Sequence, residues 1–369
     1  MVIGVPKEIK NNEYRVAMIP AGVKSLTEHG HKVLIQTSAG EESGISDKDY
    51  LETGADIRES AGDIFDEAEM IVKVKEPLPQ EYDLLHEDQV LFTYLHLAPA
   101  LELTKALLTQ KVIAIAYETV QLQDGSLPLL VPMSEIAGKL SVQIGAHYLQ
   151  KEKGGSGVLL GGVPGTEAGR VAIVGAGAVG VNAAKVAVGM GANVTILDID
   201  LNKLRYLKDI FPNLTALVSN SSNIEKAVAG ADLVVGCVLI PGARAPKLVT
   251  KEMISKMRRG SVVVDVAVDQ GGCFETTVPT RFDNPTFVVD GVIHYCVPNM
   301  PSAVARTSTF ALTSVTFSYV LKLANLGYQK ALRSDISLCK GINVCKGNVT
   351  NKSVADSLGL EYAPFEALS

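Results

Sequence analysis

Short β-branched runs alternate with amphipathic, glycine-closed stretches along much of the chain. Val2 to Val5 reads as a strand, Ala21 to Gly30 as a helix ended by glycine, and Lys32 to Gln36 as the next strand. The order returns in the middle of the chain: a strand over 171–174, a helix over about 178–190, Gly191, and a strand over 193–197. The run Glu69-Met-Ile-Val-Lys-Val-Lys in the first half parallels Ala231-Asp-Leu-Val-Val-Gly-Cys-Val in the second, each preceded by an acid-bearing helix. Further strands are expected at 261–268 and 286–289. Pro128 and Pro132 mark irregular chain, and Ser134 begins a long helix through about Gln150. Lys151 to Gly169 holds seven glycines and reads as a hairpin or loop. A helix over 302–332 is long enough to return to the first half. The pattern predicts an α/β protein of two doubly wound, Rossmann-like domains with a cleft between them, linked by long helices. Residues 1–130 with 303–369 would form a discontinuous substrate domain, and 131–302 a dinucleotide-binding domain.

The assignment of 131–302 rests on Arg170-Val-Ala-Ile-Val-Gly-Ala-Gly-Ala-Val-Gly180. A buried strand breaks at Gly175, which permits the tight turn. Gly177 removes a side chain where a pyrophosphate approaches the backbone, and Gly180 lets the helix pack close to the strand. The helix start at Ala178 and Val179 offers N–H groups and a positive dipole end to phosphate. Eighteen residues after Gly180 the next strand ends in Asp198. A carboxylate there accepts hydrogen bonds from a ribose diol and repels a 2′-phosphate, so NAD is expected rather than NADP. Lys203 and Arg205 stand close enough in sequence to meet a 2′-phosphate instead. A lone G-x-G-x-x-G carries little weight; this one has its strand, helix and acid in place.

Composition narrows the class further. The 369 residues are 47% hydrophobic and 20% charged, a globular profile with ample core. A net charge of −6 gives no basic face for nucleic acid. The first residues have neither the charged nor the apolar region of a signal peptide. No apolar run reaches the length that spans a bilayer, so no membrane partner is expected. Five cysteines without a C-x-x-C pair read as free thiols in a reducing cytoplasm, and none stands at metal-ligand spacing with histidine, so no metal is expected.

Four polar residues outside the fingerprint could carry chemistry. Arg15 lies in a polar loop after the first strand, where it could clamp a carboxylate or simply be solvated. Lys75 ends Ile71-Val-Lys-Val-Lys; Lys73 and Lys75 share a face by period two, and an ion pair with Glu76 is equally open. His96 ends the apolar run from Val90; its imidazole can exchange a proton at neutral pH or be a satisfied structural group. Asp269 follows Val262-Val-Val-Asp-Val-Ala-Val. An acid in so apolar a strand should be buried and raised in pKa, and by alternation Asp265 and Asp269 share a face with Ala267 between. Either acid could instead cap a helix; the Gly271-Gly272 turn favours Asp269. Ser134 is most simply a helix N-cap, and Val238-Leu239 could form an apolar shelf for the nicotinamide or a plain strand-to-loop turn.

These motifs resemble the alanine dehydrogenase family, which includes the transhydrogenase alpha subunits. The opening Val-Ile-Gly-Val-Pro-Lys-Glu through Asn-Glu-Tyr-Arg-Val-Ala, the Val-Lys-Val-Lys-Glu-Pro around Lys75 and the Tyr-Leu-His-Leu-Ala-Pro around His96 fit its pattern. So do Val-Gly-Ala-Gly-Ala-Val-Gly, Pro-Gly-Ala-Arg-Ala-Pro-Lys-Leu-Val, Asp-Gln-Gly-Gly-Cys-Phe-Glu and Tyr-Cys-Val-Pro-Asn-Met-Pro-Ser. The resemblance runs end to end and in order. It implies NAD-dependent oxidative deamination of L-alanine to pyruvate and ammonium, with the reverse amination. Arg15 would bind the substrate carboxylate and Lys75 the carbonyl or amino end. His96 would exchange a proton at the carbonyl oxygen, and Asp269 would assist proton transfer and order water or ammonia. Cofactor contacts would come from Ser134, Gly175, Gly177, Ala178, Val179, Gly180, Asp198, Lys203, Asn220, Val238, Leu239, Ala267, Asp269, Val297 and Met300. Family members are commonly hexamers, so a cytoplasmic homohexamer is expected.

Two positions depart from the family: Val278 stands where some relatives carry arginine, and Asn220 where serine is frequent. The rivals are a transhydrogenase subunit, an NAD-binding protein without turnover, and an amine dehydrogenase of the saccharopine or opine type. His96 and Asp269 together argue against the first, since those chains generally lack the histidine and carry glutamine for the acid.

Overall fold

The computed structural model describes residues 1–238 and 245–367. In chain order its strands are β1 (Val2–Val5), β2 (Lys32–Gln36), β3 (Asp56–Arg58), β4 (Met70–Val72), β5 (Val90–Thr93) and β6 (Ile113–Ala116). Then come β7 (Arg170–Val174), β8 (Asn193–Asp198), β9 (Thr215–Val218), β10 (Leu233–Gly236), β11 (Val262–Asp265), β12 (Thr286–Val289) and β13 (Val292–Tyr295). The last two are β14 (Ile342–Cys345) and β15 (Asn348–Val349). They fall into two compact units, residues 1–133 with 302–369 and residues 134–301.

Each unit holds one sheet, and the two sheets share a winding. In the first the order is β3-β2-β1-β4-β5-β6, extended by antiparallel β14 and β15. In the second it is β9-β8-β7-β10-β11-β13, extended by antiparallel β12. All other pairings are parallel. Both are doubly wound, and the order reverses between β1 and β4 in one and between β7 and β10 in the other. Ligands of such sheets bind outside the carboxyl ends of the strands at that reversal.

Burial follows from the winding. Strands β4, β5, β6, β10 and β11 are buried along their whole length, as sheets covered on both faces require. In the second unit Val171, Ile173, Val235 and Val264 pack with Val142 and Ala183 on one face. Ala172, Val174, Val234 and Val263 pack with Ile254 and Phe274 on the other. The period-two alternation of the sequence is therefore spent on two helix layers rather than on a wet and a dry face.

Two long helices depart from their expected bounds. The helix Val131–Tyr148 begins before Ser134, because Pro132 sits in its first turn, where no intrahelical N–H is needed. Ser134 is thus inside the helix and not its N-cap. The helix Ala305–Ser334 runs thirty residues with a break at Gly327, whose φ of 69° and ψ of 158° interrupt the turn pattern. The glycine-rich stretch 154–169 is irregular chain with no strand, as a loop rather than a hairpin. Among the described residues no helix is long and apolar enough to cross a membrane.

Candidate active site

In the second unit the glycine loop leaves β7 at the point of reversal. Gly175 has φ of 104°, and a Cβ there would lie 3.0 Å from Val238 Cγ2 and 3.1 Å from the Cys237 carbonyl carbon. A Cβ on Gly180 would come to 1.9 Å from the Gly175 carbonyl oxygen, so helix and loop touch through backbone. A Cβ on Gly177 would meet no protein atom within 4 Å, so this face of the loop is open to a ligand. Gly177 is the extended residue that starts the helix Ala178–Gly189, and its carbonyl takes the first bond of the helix from Val181 N–H. Ala178 is exposed and Val179 half-buried. A further glycine, Gly138, lets the helix Val131–Tyr148 lie against this first turn: its Cβ would stand 2.1 Å from the Val179 carbonyl oxygen. Sequence reasoning passed over Gly138; its signal was a glycine inside an otherwise good helix.

Asp198 ends β8, half-buried. Its Oδ2 accepts the Ala176 N–H of the glycine loop at 2.6 Å, and its Oδ1 accepts the Asp200 N–H at 2.9 Å. The acid therefore braces the glycine loop, and a carboxylate with about four lone-pair positions keeps acceptor capacity for a further donor. Lys203 and Arg205 are exposed on the following helix, Leu201–Ile210, where Arg205 Nη1 donates to Asn202 at 3.0 Å. Asn220 caps the helix Ser221–Ala229 by accepting the Asn223 N–H at 2.8 Å, a task asparagine performs as well as serine. Val278 is exposed. Val238 is half-buried beside Gly175, while Leu239 lies outside the described residues. The side chains of Val297 and Met300 are in the core, which leaves their backbone for any ligand contact.

The structure corrects the reading of the acids after β11. That strand ends at Asp265, so alternation does not reach Asp269, which is exposed on the turn Val268–Gln270. The buried acid is Asp265. It accepts the N–H groups of Ala267 and Cys273, both at 3.0 Å, and the Thr277 hydroxyl. Burial raises the Asp265 carboxyl above the ordinary aspartate value, against the pull of these donors. Asp269 Oδ2 faces the Asn299 N–H at 3.4 Å.

In the first unit Arg15, Lys75 and His96 follow β1, β4 and β5, the strands at and next to the reversal. Arg15 is not a solvated loop residue; it is 2% exposed. Glu13 takes its Nε at 2.6 Å and its Nη2 at 2.5 Å, and Nη1 meets Met133 Sδ at 3.0 Å. Burial works against the Arg15 charge, but Glu13 outweighs it and holds the guanidinium more firmly protonated than usual. Strand β4 stops at Val72, and the two lysines beyond it part company. Lys73 is buried between Glu81 at 2.7 Å and Glu8 at 3.4 Å. Burial opposes its charge, and the two carboxylates overcome that and raise its pKa. Three charges there sum to minus one, and burial pushes the Glu8 carboxyl up. Glu8 Oε1 also accepts the N–H groups of Val74 at 2.6 Å and Lys75 at 3.2 Å. The Lys75 ammonium lies 6.0 Å from the Tyr94 ring centre. Its neighbour Glu76 pairs with Lys10.

His96 is past the end of β5, exposed, with φ of 49°. Its ring stacks on Tyr94 at 5.9 Å with 7° between planes. Glu118 accepts the His96 N–H at 2.6 Å and the Leu95 N–H at 3.2 Å, and stands 4.0 Å from His96 Nδ1. Sequence reasoning missed Glu8, Glu13, Tyr94 and Glu118. For Glu8 the available signal was Lys73, since a lysine in so apolar a run must be paired where the fold buries it.

A glycine loop braced by an acid on one doubly wound sheet, and buried cations at the reversal of a second, describe a two-domain oxidoreductase of the nucleotide-dependent dehydrogenase class. The alanine dehydrogenase/PNT N-terminal domain model matches residues 4–137 and the C-terminal domain model residues 141–352. The chain belongs to the alanine dehydrogenase/PNT family. It is 60% identical to an alanine dehydrogenase of Methanococcus maripaludis over 99% of both chains. With one from Staphylococcus haemolyticus the identity is 55% over 99% of this chain and 98% of that one. A solved L-alanine dehydrogenase superposes with a TM-score of 0.95 at 55% identity, covering 97% of this chain and 99% of that one. A transhydrogenase from Sinorhizobium meliloti shares the fold, with a TM-score of 0.81 at 24% identity over 96% and 100% of the two chains.

Proposed function

We propose that the protein interconverts L-alanine and pyruvate plus ammonium with NAD as hydride carrier. The observation that carries the reading is Arg15: a buried guanidinium in the loop after β1, held at Nε and Nη2 by Glu13. A planar guanidinium is the group that matches a carboxylate with parallel hydrogen bonds, and Glu13 fixes its direction. Lys75 then meets the carbonyl oxygen or amino group of that substrate and favours the charge developing there. His96 gives and takes the proton at the carbonyl oxygen. Asp269 orients the attacking water or ammonia and assists its proton transfer.

NAD, when bound, supplies the acceptor for the hydride from the alanine Cα. The residues that would hold it are Gly175, Gly177, Ala178, Val179, Gly180 and Asp198, and further contacts would come from Ser134, Lys203, Asn220, Val238, Leu239, Ala267, Asp269, Val297 and Met300. Their fit is supported by the open face at Gly177 and by the Asp198 carboxylate, which favours a ribose diol over a 2′-phosphate. On this reading residues 1–130 with 303–369 bind substrate and 131–302 bind NAD. A cytoplasmic homohexamer is the accompanying expectation, checked by light scattering.

The test is NADH consumption with pyruvate and ammonium, omitting each in turn and repeating with NADPH. Turnover that requires both substrates and prefers NADH supports the proposal. Turnover with pyruvate alone, or NADH binding without turnover, overturns it.

A further inference from the structure

The turn that carries Asp269 makes no strand ladder, so its shape depends on what grips it. From inside, Asp265 holds Ala267 N–H and Cys273 N–H, the two ends of the turn, with one carboxylate. A Cβ at Gly272, whose φ is 76°, would strike Asp265 Oδ2 at 2.3 Å. The acid and the glycine are therefore matched. From outside, the residues 245–249 run along the turn. Ala245 N–H donates to Gln270 at 2.9 Å, and Leu248 and Val249 N–H donate to Cys273 at 2.9 and 3.1 Å. Between them the Lys247 ammonium donates to the carbonyls of Gly271 and Phe274, the second at 2.9 Å.

We infer that Lys247 is a positioning residue for Asp269. Gly271 follows the turn in the left-handed region, with φ of 90°, and its freedom from a side chain leaves that peptide the easiest in the turn to rotate. An ammonium on its carbonyl, anchored also to Phe274, fixes the peptide two residues from the acid. Asp265 sets the base of the turn and Lys247 its outer edge. Lys247 itself touches neither substrate nor nicotinamide in this account; it acts through the place it gives Asp269. The inference rests on the role proposed for Asp269.

The experiment compares Lys247→Met, Lys247→Arg, Asp269→Asn and the double variant Lys247→Met/Asp269→Asn. Lys247 is exposed, so methionine keeps the stem and fold and removes only the donors. Lys247→Met should lower kcat about tenfold or more, since a displacement near 1 Å can matter that much, while KM and NADH affinity stay within about twofold. Lys247→Arg should recover most of the rate. In the Asp269→Asn background the methionine should have no further effect, because the group it positions is gone. Wild-type kcat in Lys247→Met, or the same fractional loss with and without Asp269, would overturn the inference. Full activity of Asp269→Asn alone would remove the role it rests on and the inference with it. If the Asp269→Asn rate is too slow to divide further, hydrogen exchange decides. Methionine must loosen the peptide 267–274 and arginine must not.

Discussion

Glu13 holds the Nε–Nη2 edge of Arg15 with both oxygens, and both side chains are shut off from water, at 0% and 2% exposure. The pair brings no net charge into the core, yet leaves the guanidinium fixed in direction. Removing one member of a buried pair strands the other, at a cost of about 3–5 kcal/mol. Glu13→Ala should therefore lower the urea midpoint markedly and raise KM for alanine and pyruvate together. Glu13→Gln, which keeps an acceptor for Nε, should lose less of both. A Glu13→Ala protein with wild-type midpoint would show that the pair does not support the fold.

The glycine loop makes a contrast between two single methyl groups. At Gly180 the new Cβ meets the Gly175 carbonyl oxygen at 1.9 Å, so helix and loop must separate. Gly180→Ala is expected to destabilise by about 1–3 kcal/mol as an overpacked contact and to abolish NADH binding. At Gly177 the Cβ meets no protein atom. Gly177→Ala should melt at the wild-type temperature and still bind NADH more weakly, because only the ligand meets the methyl. Calorimetry and fluorescence titration separate the two. Unchanged NADH affinity in Gly177→Ala would remove the phosphate from that face.

Glu118 is tied to His96 by backbone rather than by ring. It accepts the N–H groups of Leu95 and His96 at the point where a non-glycine residue holds φ of 49°. Glu118→Ala leaves two amides to find water and releases the turn, so kcat should fall more than stability. An orphaned amide in a partly wet place costs only about 1–3 kcal/mol. Glu118→Gln retains an acceptor and should restore part of kcat. Equal kcat in the alanine and glutamine variants would argue against an anchoring role.

Winding was legible because each parallel strand had to be covered on both faces, and the runs at Val171 and Val262 show it. The duplicated order β3-β2-β1-β4 and β9-β8-β7-β10 was foreshadowed by the two matching strand-helix-strand stretches. The glycine turn after β7 was legible because Gly175 and Gly180 answer two separate steric demands of the backbone. What escaped was pairing at a distance. Glu8 and Lys73 meet across 65 positions, and nothing in either stretch names the other. Asp269 was misplaced for a related reason. The apolar run 262–268 looks like one strand, but Asp265 draws the chain into a turn by bonding Ala267 N–H two residues on. A side chain bonding its own backbone ended a strand that hydrophobicity alone would have prolonged.

Asp335 supplies a pH test of the long helix and its break at Gly327. Its carboxylate pairs with Lys322 on the far side of the break and accepts the N–H groups of Ser337 and Leu338 at 3.0 and 3.1 Å. Burial alone would raise its pKa; the lysine, the Ser337 hydroxyl and the amides outweigh that and bring it to about 2, from an ordinary 3.8. A carboxyl depressed on folding stabilises above its unfolded pKa, and that stability drains away as pH falls towards the folded pKa. The contribution is on the order of 2 kcal/mol at neutral pH and is lost between about pH 4 and pH 2. Asparagine caps the following helix nearly as well, so Asp335→Asn isolates the charge. Urea unfolding of both proteins should show a steady gap above about pH 5 that narrows as pH falls below about 4. A gap of the same size at pH values on both sides of that window would mean that Asp335 is held by its shape and not by its charge.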